Sequence, residues 1–305
     1  MGHFGALGRE LGWFILSRIY RWTRQEDDLG KLYHVADALG RLAQGIVRAR
    51  RKLFDDNVAE VFPEWSASAR TGLIKAVTRE QCRNIVDIFY YTARPSLLRQ
   101  RLTVENPEVL DAAVALGKGI VFATGHVGMF PFVGTPLTWK GIPYGVVARP
   151  PHDARVARML DSVRDDLSII TVPDRPVQVA SRIMLRVLRN NGAILTPLDI
   201  HPGADGGPVV DFLGRKTLMF SGSARVAAKT GAPIVCARVL REKDGYNHRV
   251  RYWPAEFVPR EAADGKSEAA RDTVAGLSDW LSGVIREDPE QWLWMHKRWR
   301  PRDLQ

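Results

Sequence analysis

Apolar and polar positions along the chain change their period near Pro107. Before it, apolar residues recur at three- and four-residue intervals. Leu32, Val35, Ala36, Leu39, Leu42, Ala43, Ile46 and Val47 share one face of the stretch 29–60, a spacing that predicts an amphipathic helix. Residues 55–65, DDNVAEVFPEW, read as a helix closed by a proline-marked turn. Residues 66–91 predict another long helix, capped near Ser66 or Ser68. The first hundred residues are thus mainly helical and poor in strands.

Beyond Pro107 the pattern becomes short apolar runs bounded by glycine and proline. Such runs predict buried strands at 119–124, 143–148, 167–172, 192–198, 233–240 and 248–254. Helical spacing fills 153–166, 176–190, 221–231 and 267–287. Strands alternating with helices imply an α/β fold, a mostly parallel central sheet flanked by helices, with a helical N-terminal extension. The expected organisation is a helical region over 1–105 and an α/β domain over 106–305, forming one structural unit.

Composition changes this picture little. The 305 residues are 45% hydrophobic and 26% charged, ordinary for a folded chain. Charge changes it more: 44 Lys and Arg against 34 Asp and Glu give a net +10. That surplus suits an anionic membrane surface or an acidic carrier protein. Without zinc spacing or a recognition-helix pattern, it gives no argument for nucleic acid. Cys82 and Cys236 lie far apart in apolar segments and read as reduced core residues of a cytosol-facing protein.

No apolar run reaches the roughly 18–20 residues of a membrane-spanning helix, and no signal-peptide pattern is evident. The segment of about 4–24 comes nearest, with Trp13, Phe14, Ile15, Leu16, Ile19, Tyr20 and Trp22 ringed by Arg9, Arg18, Arg21 and Arg24. It reads as a helix lying in a membrane interface; the alternative is a helix packed on the protein's own core.

Candidate chemistry centres on ATGHVGMFPFVG, residues 123–134. Ligand sites of open α/β sheets lie beyond the C-terminal ends of strands, where His126 follows the predicted strand 119–124. An imidazole there can take a proton from a hydroxyl near neutral pH, or simply satisfy a turn. Gly128 permits close approach of another segment or of substrate. Asp199 ends a second strand, and either orients the site or caps a turn.

Four blocks carry a resemblance: GKGIVFATGHVGMF, GVVARP, the long run from AILTPLDIHPG to KTGAPIV, and PEQWLWMHKRWR. In this order they resemble the bacterial lipid A biosynthesis (lauroyl/myristoyl) acyltransferase family, within the lysophospholipid acyltransferase-like superfamily. Close relatives of that family acylate phosphatidylinositol mannosides and other glycolipids. The resemblance spans nearly the whole chain, NVAEVFPEW included.

The resemblance implies a glycerolipid acyltransferase-like fold and makes His126 the general base. The acceptor would be a lipid or glycolipid hydroxyl, or an amine, and the donor an acyl carrier protein or coenzyme A thioester. No metal or other cofactor is implied. Arg149 would pair with a phosphate or steady developing charge; otherwise it is a solvated strand-end residue. Arg215 follows in the third block. Ser221 and Gly222 open a predicted helix whose free N–H groups either hold an anion or merely permit tight packing. The last block, with its tryptophans and His296, either lines the acceptor's path at a phospholipid surface or packs the C-terminus onto the body.

One departure stands out. The family motif sets Asp or Glu five positions after the histidine, where this chain has Pro131. In a serine-protease triad, replacing the comparable aspartate costs about 10⁴ in turnover. Asp199 is the first substitute expected, with Asp153 more remote. The function expected is a membrane-associated acyltransferase, peripheral or monotopic on the cytoplasmic face of a bacterial inner membrane. The alternative is a catalytically degenerate lipid-binding member that acts as a partner protein.

Overall fold

The computed structural model describes residues 2–46, 48–202, 206–296 and 298–299. The helical pattern of the first hundred residues becomes α1 (Gly2–Gln25), α2 (Leu29–Ile46), α3 (Arg48–Val61), α4 (Ala67–Thr92) and α5 (Pro95–Arg101). The amphipathic stretch expected across Val47 passes through a position outside the described residues, with helix on both sides. Pro63 disfavours helical backbone at Phe62, so α3 ends at Val61. The cap of α4 is Ser66, whose hydroxyl accepts from the Ala69 N–H.

Next come β1 (Leu102–Glu105), α6 (Pro107–Ala115), β2 (Ile120–Thr124), α7 (Thr135–Thr138), β3 (Tyr144–Ala148), α8 (Ala154–Asp165), β4 (Ile169–Pro173), α9 (Val177–Arg189) and β5 (Ala193–Pro197). The chain continues through β6 (Val209–Phe212), β7 (Arg215–Leu218), α10 (Gly222–Thr230), β8 (Ile234–Arg241), β9 (His248–Tyr252) and α11 (Glu268–Glu287). Each predicted strand is present. The sequence reading missed β1 and the β6–β7 hairpin.

Seven strands form one sheet in the order β1-β9-β8-β2-β5-β3-β4. From β8 to β4 all neighbours run parallel; β9 is antiparallel to β8, and β1 follows β9. The fold is α/β, mostly parallel, as the alternation implied. Strand β2 shows why its sequence is a continuous apolar run. Val121 and Ala123 face one layer, with α3, α9, α10 and α11, while Ile120 and Phe122 face the other, with α2, α4 and α6. Both faces are covered, so every position must be apolar.

Helix α1 has one packed face and one open face. Trp13, Leu16, Ile19 and Tyr20 pack against Phe89, Met159 and Val163, on α4 and α8. Leu11, Phe14 and Ile15 on its other face are 57%, 55% and 45% exposed. Among the described residues no helix is long and apolar enough to cross a membrane.

Candidate active site

The site begins as a matter of strand register. β2 and β5 are adjacent and parallel, with Thr124 opposite Pro197 and the Leu198 N–H donating to the Thr124 carbonyl at 2.7 Å. Two residues past each strand end, His126 and Asp199 arrive level with one another. His126 Nδ1 lies 2.8 Å from Asp199 Oδ1, and the His126 backbone N–H donates to Oδ2 at 2.8 Å. Gly125 makes this approach possible, since a Cβ there would meet Leu281 Cδ1 at 2.8 Å and Asp199 Oδ2 at 3.2 Å.

Asp199 is fully buried, and the indole Nε1 of Trp292 donates to its Oδ2 at 2.8 Å. Burial pushes the carboxyl upward. The His126 charge, the ring hydrogen bond, the Trp292 indole and the His126 backbone N–H outweigh burial and hold it well below the usual carboxylate range. An ionised carboxylate only accepts, so Nδ1 carries the proton toward it, and Nε2 is left as the acceptor of the neutral ring. The His126 side chain is 22% exposed. Burial opposes its charged form, but the Asp199 charge and hydrogen bond prevail and raise its pKa above the ordinary imidazole value.

Around the ring stand Phe130 and His296, with centroids 4.8 and 5.0 Å from that of His126. Phe130 opens a short 3-10 helix, Phe130–Phe132, and Pro131 sits in its first turn, where a missing N–H costs little. The Pro131 carbonyl accepts from the Tyr144 hydroxyl at 3.2 Å. Pro131 thus serves the backbone, and the carboxylate beside His126 comes from Asp199, just past the end of the neighbouring strand β5.

The C-terminal segment clips over this loop. Val127 bridges Trp292 in antiparallel fashion, the Gly128 N–H donates to the Gln291 carbonyl at 2.8 Å, and the Leu293 N–H donates to the His126 carbonyl at 3.2 Å. Trp292 and Trp294 are fully buried, so this part of the last block packs onto the body. Lys297 and Arg300 of that block lie outside the described residues. Gly128, at φ +52°, would put a Cβ 2.1 Å from the Val239 carbonyl oxygen; the close approach it permits is to β8.

The other candidates share the region unevenly. Arg149 follows β3 at the same sheet edge, 77% exposed, with Nε 2.8 Å from Asp174. Arg215 lies on β7, ion-paired with Glu60 of α3 and stacked over Trp299, not in contact with the His–Asp pair. Ser221 and Gly222 open α10, and a Cβ at Gly222 would strike the Phe220 ring. The next residue, Ser223, shares a 2.5 Å hydrogen bond with Thr196 of β5, which sets the start of α10 at the same edge. Asp153 is the N-cap of α8 and pairs with Arg155.

Sequence reasoning missed Trp292 as a partner of Asp199. The block of tryptophans flagged the segment, but nothing local marks which indole reaches a carboxylate 93 positions away. Among the described residues no group of three or more His, Cys, Asp or Glu side chains could hold a metal ion. The site offers a proton acceptor, Nε2 of His126, and a fixed carboxylate that orients its ring, an arrangement that can activate a hydroxyl for attack.

Comparison with known proteins places the chain among acyltransferases. The family model described as bacterial lipid A biosynthesis acyltransferase matches residues 29–301. A phosphatidylinositol mannoside acyltransferase from Mycolicibacterium smegmatis is 25% identical over 247 residues, 80% of this chain and 77% of that protein. One of the same description from Mycobacterium tuberculosis is 27% identical over 195 residues, 62% of this chain and 57% of that protein.

Proposed function

The chain belongs to the bacterial lipid A biosynthesis acyltransferase family and is an acyltransferase, and from that premise we propose that it acylates a hydroxyl of a membrane glycolipid with His126 as general base. The observation that carries the assignment is the 2.8 Å hydrogen bond between His126 Nδ1 and the buried Asp199. Nε2 takes the proton of the acceptor hydroxyl as its oxygen attacks the thioester carbonyl. The tetrahedral intermediate collapses, the carbon–sulfur bond breaks, and the imidazolium returns its proton to the leaving thiolate. Asp199 holds the tautomer and stabilises the imidazolium.

The names of the two relatives favour a mannosylated phosphatidylinositol as the acceptor class. Arg149, exposed at the same sheet edge, is the proposed partner of an acceptor phosphate. The net +10 suits an acidic acyl carrier protein or coenzyme A as donor. The exposed apolar stripe of α1 supports a peripheral site on an anionic membrane, on the cytoplasmic face of a bacterial inner membrane. The alternative, a catalytically degenerate lipid-binding partner, rests on the lack of a motif acid, and the hydrogen bond of Asp199 to His126 supports the catalytic reading over it.

The test is acyl transfer by purified protein from coenzyme A and carrier-protein thioesters to phosphatidylinositol mannosides, read by mass spectrometry of the lipid. His126→Ala is expected to lose the acylated product while keeping its fold. Undiminished product in that variant would remove His126 from the role of base.

A further inference from the structure

Helices α1 and α8 run in the same direction, pinned by Arg155 on Glu10 at 2.9 Å and Arg24 on Asp166 at 2.6 Å. Between them opens a cleft of about 530 Å³ whose lining includes Trp13, Ser17, Tyr20, Arg21, Arg155 and Arg158. Helix α8 starts just after the C-terminal end of β3, so Arg155 and Arg158 lie toward the sheet edge that carries His126. Arg155 is matched by Glu10 and Asp153. Arg21 and Arg158 are exposed, and among the described residues no carboxylate lies within salt-bridge distance of either. The Arg21 guanidinium only donates through Nε to the Ser17 carbonyl at 3.3 Å.

Helical geometry ties this cleft to the apolar stripe. At 3.6 residues per turn, positions seven apart nearly coincide around the axis, so Arg21 lies in line with Phe14. Trp13, Ser17 and Tyr20 fall on the cleft side of that line, and Leu11, Ile15 and Arg18 on the open side. A cationic cleft therefore borders directly on an exposed apolar face. A lipid phosphate meets both demands, with its charge in the cleft and its chains along the stripe.

We propose that the α1–α8 cleft binds the phosphate of an anionic phospholipid in the bilayer, through Arg21 and Arg158. The proposal rests on the membrane-surface reading of α1. Flotation of the full chain with vesicles of phosphatidylcholine, alone or with about one-third phosphatidylglycerol, tests both. Arg21→Glu/Arg158→Glu should bind phosphatidylcholine vesicles like the parent but lose at least about tenfold in affinity for the anionic ones. The control Arg182→Glu/Arg189→Glu makes the same charge change on α9, across the sheet, and should keep that preference. Equal losses in both pairs, or none in the first, would overturn the site. Phe14→Asp should weaken binding to both vesicle types; if it binds like the parent, the membrane reading itself fails. Inorganic phosphate titrated without vesicles should bind parent and variant equally weakly, and tight binding to the parent alone would replace the lipid by a soluble phosphate. Loss of acyl carrier protein binding in the variant, with vesicle binding intact, would assign the cleft to a protein instead.

Discussion

At the scale of the residue, the His126–Asp199 pair turns on one proton. Asp199 holds the imidazole charge, so His126 titrates above the ordinary value near 6.5. As the proposed base, His126 works only when neutral, so kcat/KM should rise with pH through a limb above that value. Asp199→Asn removes the charge that favours the imidazolium, and the limb should move to lower pH. Turnover on the plateau should fall by about 10²–10⁴, the cost of losing the tautomer and the stabilised cation. A pH–rate profile of the two proteins reads both effects, and an unmoved limb would detach Asp199 from the titrating group. His126 was legible in the sequence because a strand-end histidine among small residues is a local pattern. Asp199 was legible only as a suspect, because its bond to His126 depends on which strands are neighbours and in what register.

At the scale of the element, long apolar runs were easy to read because both faces of the parallel strands are covered. Strand β1 and the β6–β7 hairpin escaped because they are short and carry polar residues: Thr103 and Glu105, then Asp211, Arg215 and Lys216. Their pairing is decided by distant or outward-facing contacts that leave no run. The loop from Gly125 to Met129 is an element in its own right, held between β8 and the C-terminal segment by backbone hydrogen bonds. Gly128→Ala tests how tightly. Its Cβ would fall 2.1 Å from the Val239 carbonyl oxygen at a left-handed φ, so the loop must move away from β8. Chemical denaturation should show a loss of at least about 2 kcal/mol, and turnover should fall as His126 shifts off Asp199. Parent-like stability and turnover would show that the loop tolerates the displacement.

At the scale of the whole molecule, one buried ion cluster joins the helical region to the sheet. Arg241 of β8 meets Glu80, Asn84 and Asp87 of α4 at 2.8, 2.8 and 2.6 Å, and the Tyr33 hydroxyl of α2 at 2.6 Å. Burial pushes the Asp87 carboxyl up, but Arg241, His248 and Tyr33 prevail and hold it below the ordinary value. Its stabilisation is therefore complete above the unfolded carboxyl value near 3.9, and is lost as pH falls below that value toward the folded one. Asp87→Asn should cost about 3 kcal/mol at neutral pH and flatten the acid side of the stability curve, as measured by urea unfolding over a pH series. An acid slope equal to the parent's would assign the acid sensitivity to other carboxylates. The clip over the Gly125–Met129 loop has a different consequence, one of timing. Trp292 leaves the ribosome 93 residues after Asp199, so a nascent chain can carry His126 and Asp199 long before the indole that fixes the carboxylate exists. Asp199 gains its indole partner only after all seven strands of the sheet have been synthesised.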